Sequence, residues 1–197
     1  MKFGNWLKEN GACKEGFNAH SHQTEQEFWN TCNRGDWMLW VAQRKYGTNG
    51  WPDHLAFVKI ACIVGRRSLI HCRENDKAVC EAAYDTAEKF IESQTEENRN
   101  AANSAAYAAA YAAAANAYYT AAYAAYAASA AANAASYSAN AASYASYAAA
   151  YASYAAAYAA YAAAYDEASY SAYTAAYYEE KKIQADIIRQ KWPKVGA

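Results

Sequence analysis

Residues 101–165 hold no charged residue, no His, no Gly, no Pro and none of Leu, Ile, Val, Met or Phe. They consist of 39 Ala, 14 Tyr and 12 Ser, Asn or Thr. The missing large aliphatics exclude an ordinary core built by this stretch alone, and the missing Gly and Pro remove the residues that usually mark turns. An excess of one charge is missing from the whole chain, where 18 Lys and Arg stand against 19 Asp and Glu. That balance argues against nucleic-acid binding, DNA mimicry or a polybasic membrane role, each of which needs one sign to dominate. A membrane span is not expected, although the uncharged stretch exceeds the ~18 residues that suggest one. Ala is nearly neutral toward lipid, and the polar groups of Ser, Asn and Tyr would all need partners there.

Catalytic signatures are also missing. There is no Gly-rich phosphate loop, no Gly-x-Ser-x-Gly elbow and no pair of carboxylates in an apolar setting, so neither an enzyme nor a catalytic residue is expected. The cysteines, Cys13, Cys32, Cys62, Cys72 and Cys80, are odd in number, and the start MKFGNWLKENG has no apolar h-region. Reduced thiols in a cytoplasm are the expectation. Cys13, His20, His22 and Cys32 are soft donors without tight ligand spacing, so no metal and no other cofactor is expected. A cysteine nucleophile needs a converging His and an orienting group, and His71 beside Cys72 points elsewhere on a helix.

What is present is helical. Thr24 with Glu27 reads as a capping box, and Asp36 as the cap of a helix carrying Trp37, Trp40 and Val41. Pro52 suits the first position of a third helix reaching about His71, and Asp76 the cap of a fourth ending near Glu92. The third helix is apolar almost all round, as a central helix is. Its basic stripe, Lys59, Arg66 and Arg73, can face Glu81, Asp85, Glu88 and Glu92 of the fourth; two solvated faces with little energy between them are the plainer reading. Thr95 is a plausible cap for the Ala-rich run, which nothing interrupts before Pro193.

Within that run Tyr144, Tyr147, Tyr151, Tyr154, Tyr158, Tyr161 and Tyr165 alternate spacings of three and four, which keeps them on one slowly drifting, heptad-like stripe. The phase extends back through Asn140, Tyr137, Asn133, Tyr126, Tyr123, Tyr119 and Asn116; Tyr107, Tyr111 and Tyr118 fall outside it. The repeat predicts coiled-coil-like packing with the tyrosines as a seam, each ring buried and its hydroxyl at the rim. A single helix from Thr95 to Lys191 would extend about 145 Å, so a hairpin is expected. Ser and Asn crowd between 129 and 146, which places the reversal near 133–141. The overall expectation is all-α: a Trp-rich bundle over 1–95, an Ala/Tyr helical array over 96–180 and an amphipathic segment over 181–197. In the last of these, Ile183, Ile187 and Ile188 can dock on the bundle.

Arg34-Gly35-Asp36 is formally an adhesion tripeptide, but a turn and helix cap is the better reading with Trp37 following. The run TCNRGDWMLWVA, then HLAFVKIACIVGRRSLIHC, then an Ala-rich array resembles the immunity proteins of bacterial polymorphic-toxin systems and their phage-encoded alanine-rich relatives. The specific residues are Cys32, Arg34, Gly35, Asp36, Trp37, Leu39 and Trp40. Relatives often place Asp among the repeats, where this chain has Asn, Ser or Tyr. The resemblance implies a cytoplasmic binding protein, in a bacterial or phage-infected cell, that neutralises a toxin or defence effector. Core packing is the first reading of the tryptophans, as a seam is of the tyrosines; where either set binds a partner, Trp37, Trp40, Tyr147, Tyr151, Tyr154 and Tyr158 are the candidate residues. Other readings of the Tyr stripe are weaker. A nucleic-acid stacking platform lacks interleaved Lys and Arg, and an ice-binding surface lacks Thr. Self-association into a rod, filament or scaffold stays open, because a uniform repeat tolerates register slippage.

Overall fold

The computed structural model describes residues 2–115, 119–137, 141–163 and 168–195. Among them ten α-helices and one 3-10 segment follow one another without a strand, so the fold is all-α. Four short helices open the chain: α1 (Phe3–Glu9), α2 (Lys14–His20), α3 (Glu25–Thr31) and α4 (Gly35–Arg44). Then come α5 (His54–Arg66), the 3-10 segment Arg67–His71, and α6 (Glu74–Glu92). The Ala-rich region forms α7 (Glu96–Ala115), α8 (Tyr119–Ser136), α9 (Ala141–Ala163) and α10 (Ala168–Lys191).

Local chemistry sets most of the boundaries. Both halves of the Thr24–Glu27 capping box are made at α3, and the Thr95 hydroxyl accepts the Asn98 N–H ahead of α7. Pro52 does not open α5; Asp53 caps it by accepting the Ala56 N–H at 2.9 Å. Asp76 lies within the first turn of α6, and Arg73 holds the cap position.

The Ala-rich run is not one hairpin but four antiparallel helices. The expected reversal falls between α8 and α9, as the pairing of Tyr137 with Tyr144 and of Tyr126 with Tyr151 shows. Two further reversals separate α7 from α8 and α9 from α10. The Ser and Asn residues at 138–140 that were expected to cap the turn lie outside the described residues.

These four helices form one layer, and a second layer lies in its grooves. Helix α6 packs against α7 and α8, α5 against α8 and α9, and α4 against α9 and α10. Ala makes that nesting possible. The inward face of the first layer carries Ala102, Ala106 and Ala109 of α7, Ala127, Ala128 and Ala131 of α8, and Ala145, Ala148, Ala149 and Ala152 of α9, all buried. With methyl groups alone between them, helix axes can approach to the low end of the usual ~8–10 Å. Each buried methyl is worth about 0.8 kcal/mol, against about 1.5–3 for a larger apolar side chain. The second layer therefore supplies the bulk: Phe57, Val58, Ile60 and Val64 of α5, with Cys80, Tyr84 and Phe90 of α6, are all buried. As its composition predicts, α5 is the central helix.

The three-part division at 95 and 180 does not mark separate cores. One continuous cluster runs from Phe3 to Val195, and position 181 falls inside α10. The end of the chain does dock on the first helices. Ile188 and Val195 are buried, Trp29 Nε1 donates to the Trp192 carbonyl at 2.6 Å, and Arg189 donates to the carbonyls of Trp29 and Cys32. The basic and acidic stripes meet through Arg66, which binds Asp85 and Glu88; these partners are substantially exposed, so the net energy is small.

Gly35 marks a close approach between α4 and α10. A Cβ there would lie 2.7 Å from Gln184 Cβ and 3.0 Å from the Ala185 nitrogen, so α4 reaches α10 only without a side chain at this position. Gly35→Ala is expected to cost about 1–3 kcal/mol through overpacking, read as a lower urea midpoint. An unchanged midpoint would contradict the contact.

Candidate interaction face

On α9 the spacing of three and four holds Tyr144, Tyr147, Tyr151, Tyr154 and Tyr158 to one side, while Ala145, Ala148, Ala149, Ala152 and Ala155 face the other. The packing seam is the alanine side. This corrects the expectation that tyrosine would form it: Tyr147 is 54% exposed, and Tyr144, Tyr151, Tyr154 and Tyr158 are half-buried along the outer face. Rings this large would hold the helices apart, whereas methyl groups let α5 and α4 settle between them.

The tyrosines of different helices meet mostly as stacked or tilted rings. Tyr123 of α8 lies 6.0, 5.1 and 5.4 Å from the rings of Tyr151, Tyr154 and Tyr158. Tyr137 leads through Tyr144 and Tyr147 to Tyr151. On the other flank Tyr154 meets Tyr177 and Tyr158 meets Tyr173, both of α10. Tyr107 of α7 raises the pKa of Tyr137, and Tyr111 stands 76% exposed one turn beyond Tyr107. The result is a band of ring contacts from α8 across α9 to α10. Burial, then neighbouring tyrosines, push Tyr173 up to about 12, while Tyr177 beside Tyr154, and burial, raise Tyr154.

At its α10 end the band continues into charge and tryptophan. Tyr178 and Trp37 hold the Arg34 guanidinium between them, at 5.4 and 4.4 Å from their ring centres. Arg34 donates through Nε and one terminal nitrogen to both Asp36 oxygens, at 3.0 and 2.8 Å. Lys181 donates to the same carboxylate at 2.7 Å and sits 4.3 Å from the Tyr177 ring centre; only 4% of this lysine is exposed. Burial pushes the Asp36 carboxyl upward, and the hydrogen bonds from Arg34 and Lys181 outweigh it, leaving its pKa below the usual carboxylate value. Asp36 is therefore a counter-ion inside the first turn of α4, not the helix cap; Arg34 holds the cap position without a side-chain hydrogen bond.

Beyond Trp37 lies a recess of about 280 Å³ lined by Leu7, Phe28, Trp37, Trp40, His20 and Asp36, among others. Trp37 and Trp40 are half-buried there, with Trp40 against Trp6. The structure thus links Trp37 to the tyrosine band through Arg34 and sets Trp40 with it along the recess. Arg34, Lys181, Tyr123, Tyr173, Tyr177 and Tyr178 belong to the face and were not singled out for binding from the sequence. The available signal was the run of charges Glu179, Glu180, Lys181 and Lys182 on α10, after the uncharged stretch.

Among the described residues no three His, Cys, Asp or Glu side chains converge as a metal site would require. No helix among them is long and apolar enough to cross a membrane. Compared with protein-family models, with curated proteins and with solved structures, the chain matches none.

Lys181→Met is expected to lower stability by about 1.5–3 kcal/mol, the scale of a hydrogen bond to a charged group. Because the folded pKa of Asp36 is depressed, its contribution is full well above the unfolded value of 3.8 and is lost as pH falls through the lower folded value. The stability gap between wild type and Asp36→Asn should accordingly be open at neutral pH and close in acid. A gap independent of pH would contradict this assignment.

Proposed function

We propose that this chain acts by binding another protein through its tyrosine face. In the form the sequence resemblance implies, it is an inhibitor or immunity factor that covers a toxin or defence effector. The observation that carries this reading is the continuous, neutral and partly exposed band of ring contacts from Tyr137 to Tyr178, ending on Arg34 and Trp37. Tyr, Trp and Arg are the residues enriched at protein–protein contacts. A Tyr side chain offers large area with few torsions to freeze, and mutual ring contact restricts those torsions before any partner arrives, which lowers the ordering cost of binding. The band suits a protein surface better than a nucleic-acid backbone, because the cations at its end, Arg34 and Lys181, are already committed to Asp36. Assembly of the chain on itself into a rod or scaffold is the alternative use of the same face.

Photo-crosslinking residues placed at Tyr111 and Tyr147, with exposed Lys59 on α5 as control, separate these readings. A discrete heterologous adduct formed from both face positions and not from Lys59 is expected. Adducts of the chain with itself would favour the scaffold, and adducts no more frequent than at Lys59 would overturn both. Tyr111→Ser and Tyr147→Ser are expected to shift the melting temperature by no more than about 2 °C, since exposed substitutions stay within about 0.5 kcal/mol.

A further inference from the structure

Away from the aromatic face, two thiols are in contact. Cys72 follows the 3-10 segment, where its N–H donates to the Leu69 carbonyl. Cys80 lies on α6, and the two Sγ atoms are 3.3 Å apart. Both are free thiols; Cys80 is buried and Cys72 half-buried. We propose that Cys72 and Cys80 are a dithiol–disulfide pair, closed by exchange with a low-molecular-weight disulfide such as oxidised glutathione.

The exchange balances in two steps. The Cys72 thiolate attacks one sulfur of the small disulfide, forming a mixed disulfide and releasing one thiolate. Cys80 then attacks Cys72 Sγ and expels the second thiolate. The two protons given up by the cysteines end on the released thiols, so the small disulfide is reduced to two thiols while the protein loses two hydrogen atoms. The sulfurs need to close by about 1.2 Å to reach the ~2.05 Å bond.

Position assigns the roles. Cys72 is the attacking group because solvent reaches it and because the hydrogen bond with Cys80 holds its thiol below the usual value, which favours the thiolate. Cys80 is shielded and serves as the resolving thiol. The other cysteines are set differently: burial pushes Cys62 up to about 12 and Cys32 up to about 11, and exposed Cys13 caps α2 by accepting the Gly16 N–H. The new bond would tie the end of the 3-10 segment to α6. The same segment begins with Arg67, whose guanidinium donates twice to Glu180 of α10. Oxidation would therefore fasten the piece of chain on which that α10 clamp is mounted.

The full chain, equilibrated with reduced and oxidised glutathione, quenched in acid, unfolded and alkylated, tests this. Loss of two of the five thiols, with a Cys72–Cys80 linked peptide in wild type and in Cys13→Ser, is the expected result. Oxidised protein should also melt higher, by on the order of 5 °C. In Cys80→Ser, glutathione should remain trapped on Cys72. Retention of all five thiols at oxidising ratios, or a lasting glutathione adduct on Cys72 in wild type, would overturn the proposal; the wild-type count decides even where a variant fails to fold.

Discussion

The fold depends on one steric constraint: the inward faces of α7, α8 and α9 must carry little beyond methyl groups. Three second-layer helices lie in the grooves of the four-helix layer that these form with α10, and Ala lines the α7, α8 and α9 walls of those grooves. Alanine also supplies the helical propensity that lets uncharged segments persist without aliphatic side chains. The cost is little apolar burial per residue. It is offset by α5 and α6, whose large side chains press into the alanine surface, so the low-complexity helices and the ordinary ones share one core.

The same constraint sends the tyrosines outward, where they touch each other across helices. It also gives the Arg34–Trp37 segment its meaning. Gly35 brings α4 against the backbone of α10, Asp36 receives Lys181 from α10 and Arg34 from its own turn, and Arg34 lies between Trp37 and Tyr178. Nearby, Gln184 is fully buried and donates to the Ala149 carbonyl and to Ser153 Oγ, while Glu180 is held by Arg67. These polar contacts fix the rotation of α10, and with it the direction in which Tyr173 and Tyr177 point. A tripeptide that reads as an adhesion signal is thus a fastening between two helices.

Helix class, the central place of α5, the capping box at Thr24 and the middle reversal could be read from sequence because propensity, apolar periodicity and capping chemistry act locally. The direction of the tyrosine stripe could not. A repeat of three and four fixes which residues share a face; whether that face turns inward depends on what the opposite face offers. Here the opposite face offers close approach to α4 and α5, and close approach prevails over ring burial. The other two reversals were hidden because no Gly or Pro marks them, although the phase slip at Tyr107 and Tyr111 was a trace of the one between α7 and α8. The partnership of Asp36 with Lys181 spans 145 positions, a distance no local pattern reports. The three-part division follows composition, which changes at 95, while one core cluster runs across that position.

Tyrosine-specific nitration of the native protein, mapped by mass spectrometry, tests most directly the claim that alanine faces inward and tyrosine outward. Tyr107, Tyr111, Tyr147 and Tyr170, at 58%, 76%, 54% and 75% exposure, should react first, and Tyr84, fully buried beneath Gly65, last. Protection of Tyr147 to the level of Tyr84 in the monomer would show that the stripe is the buried seam and contradict the account.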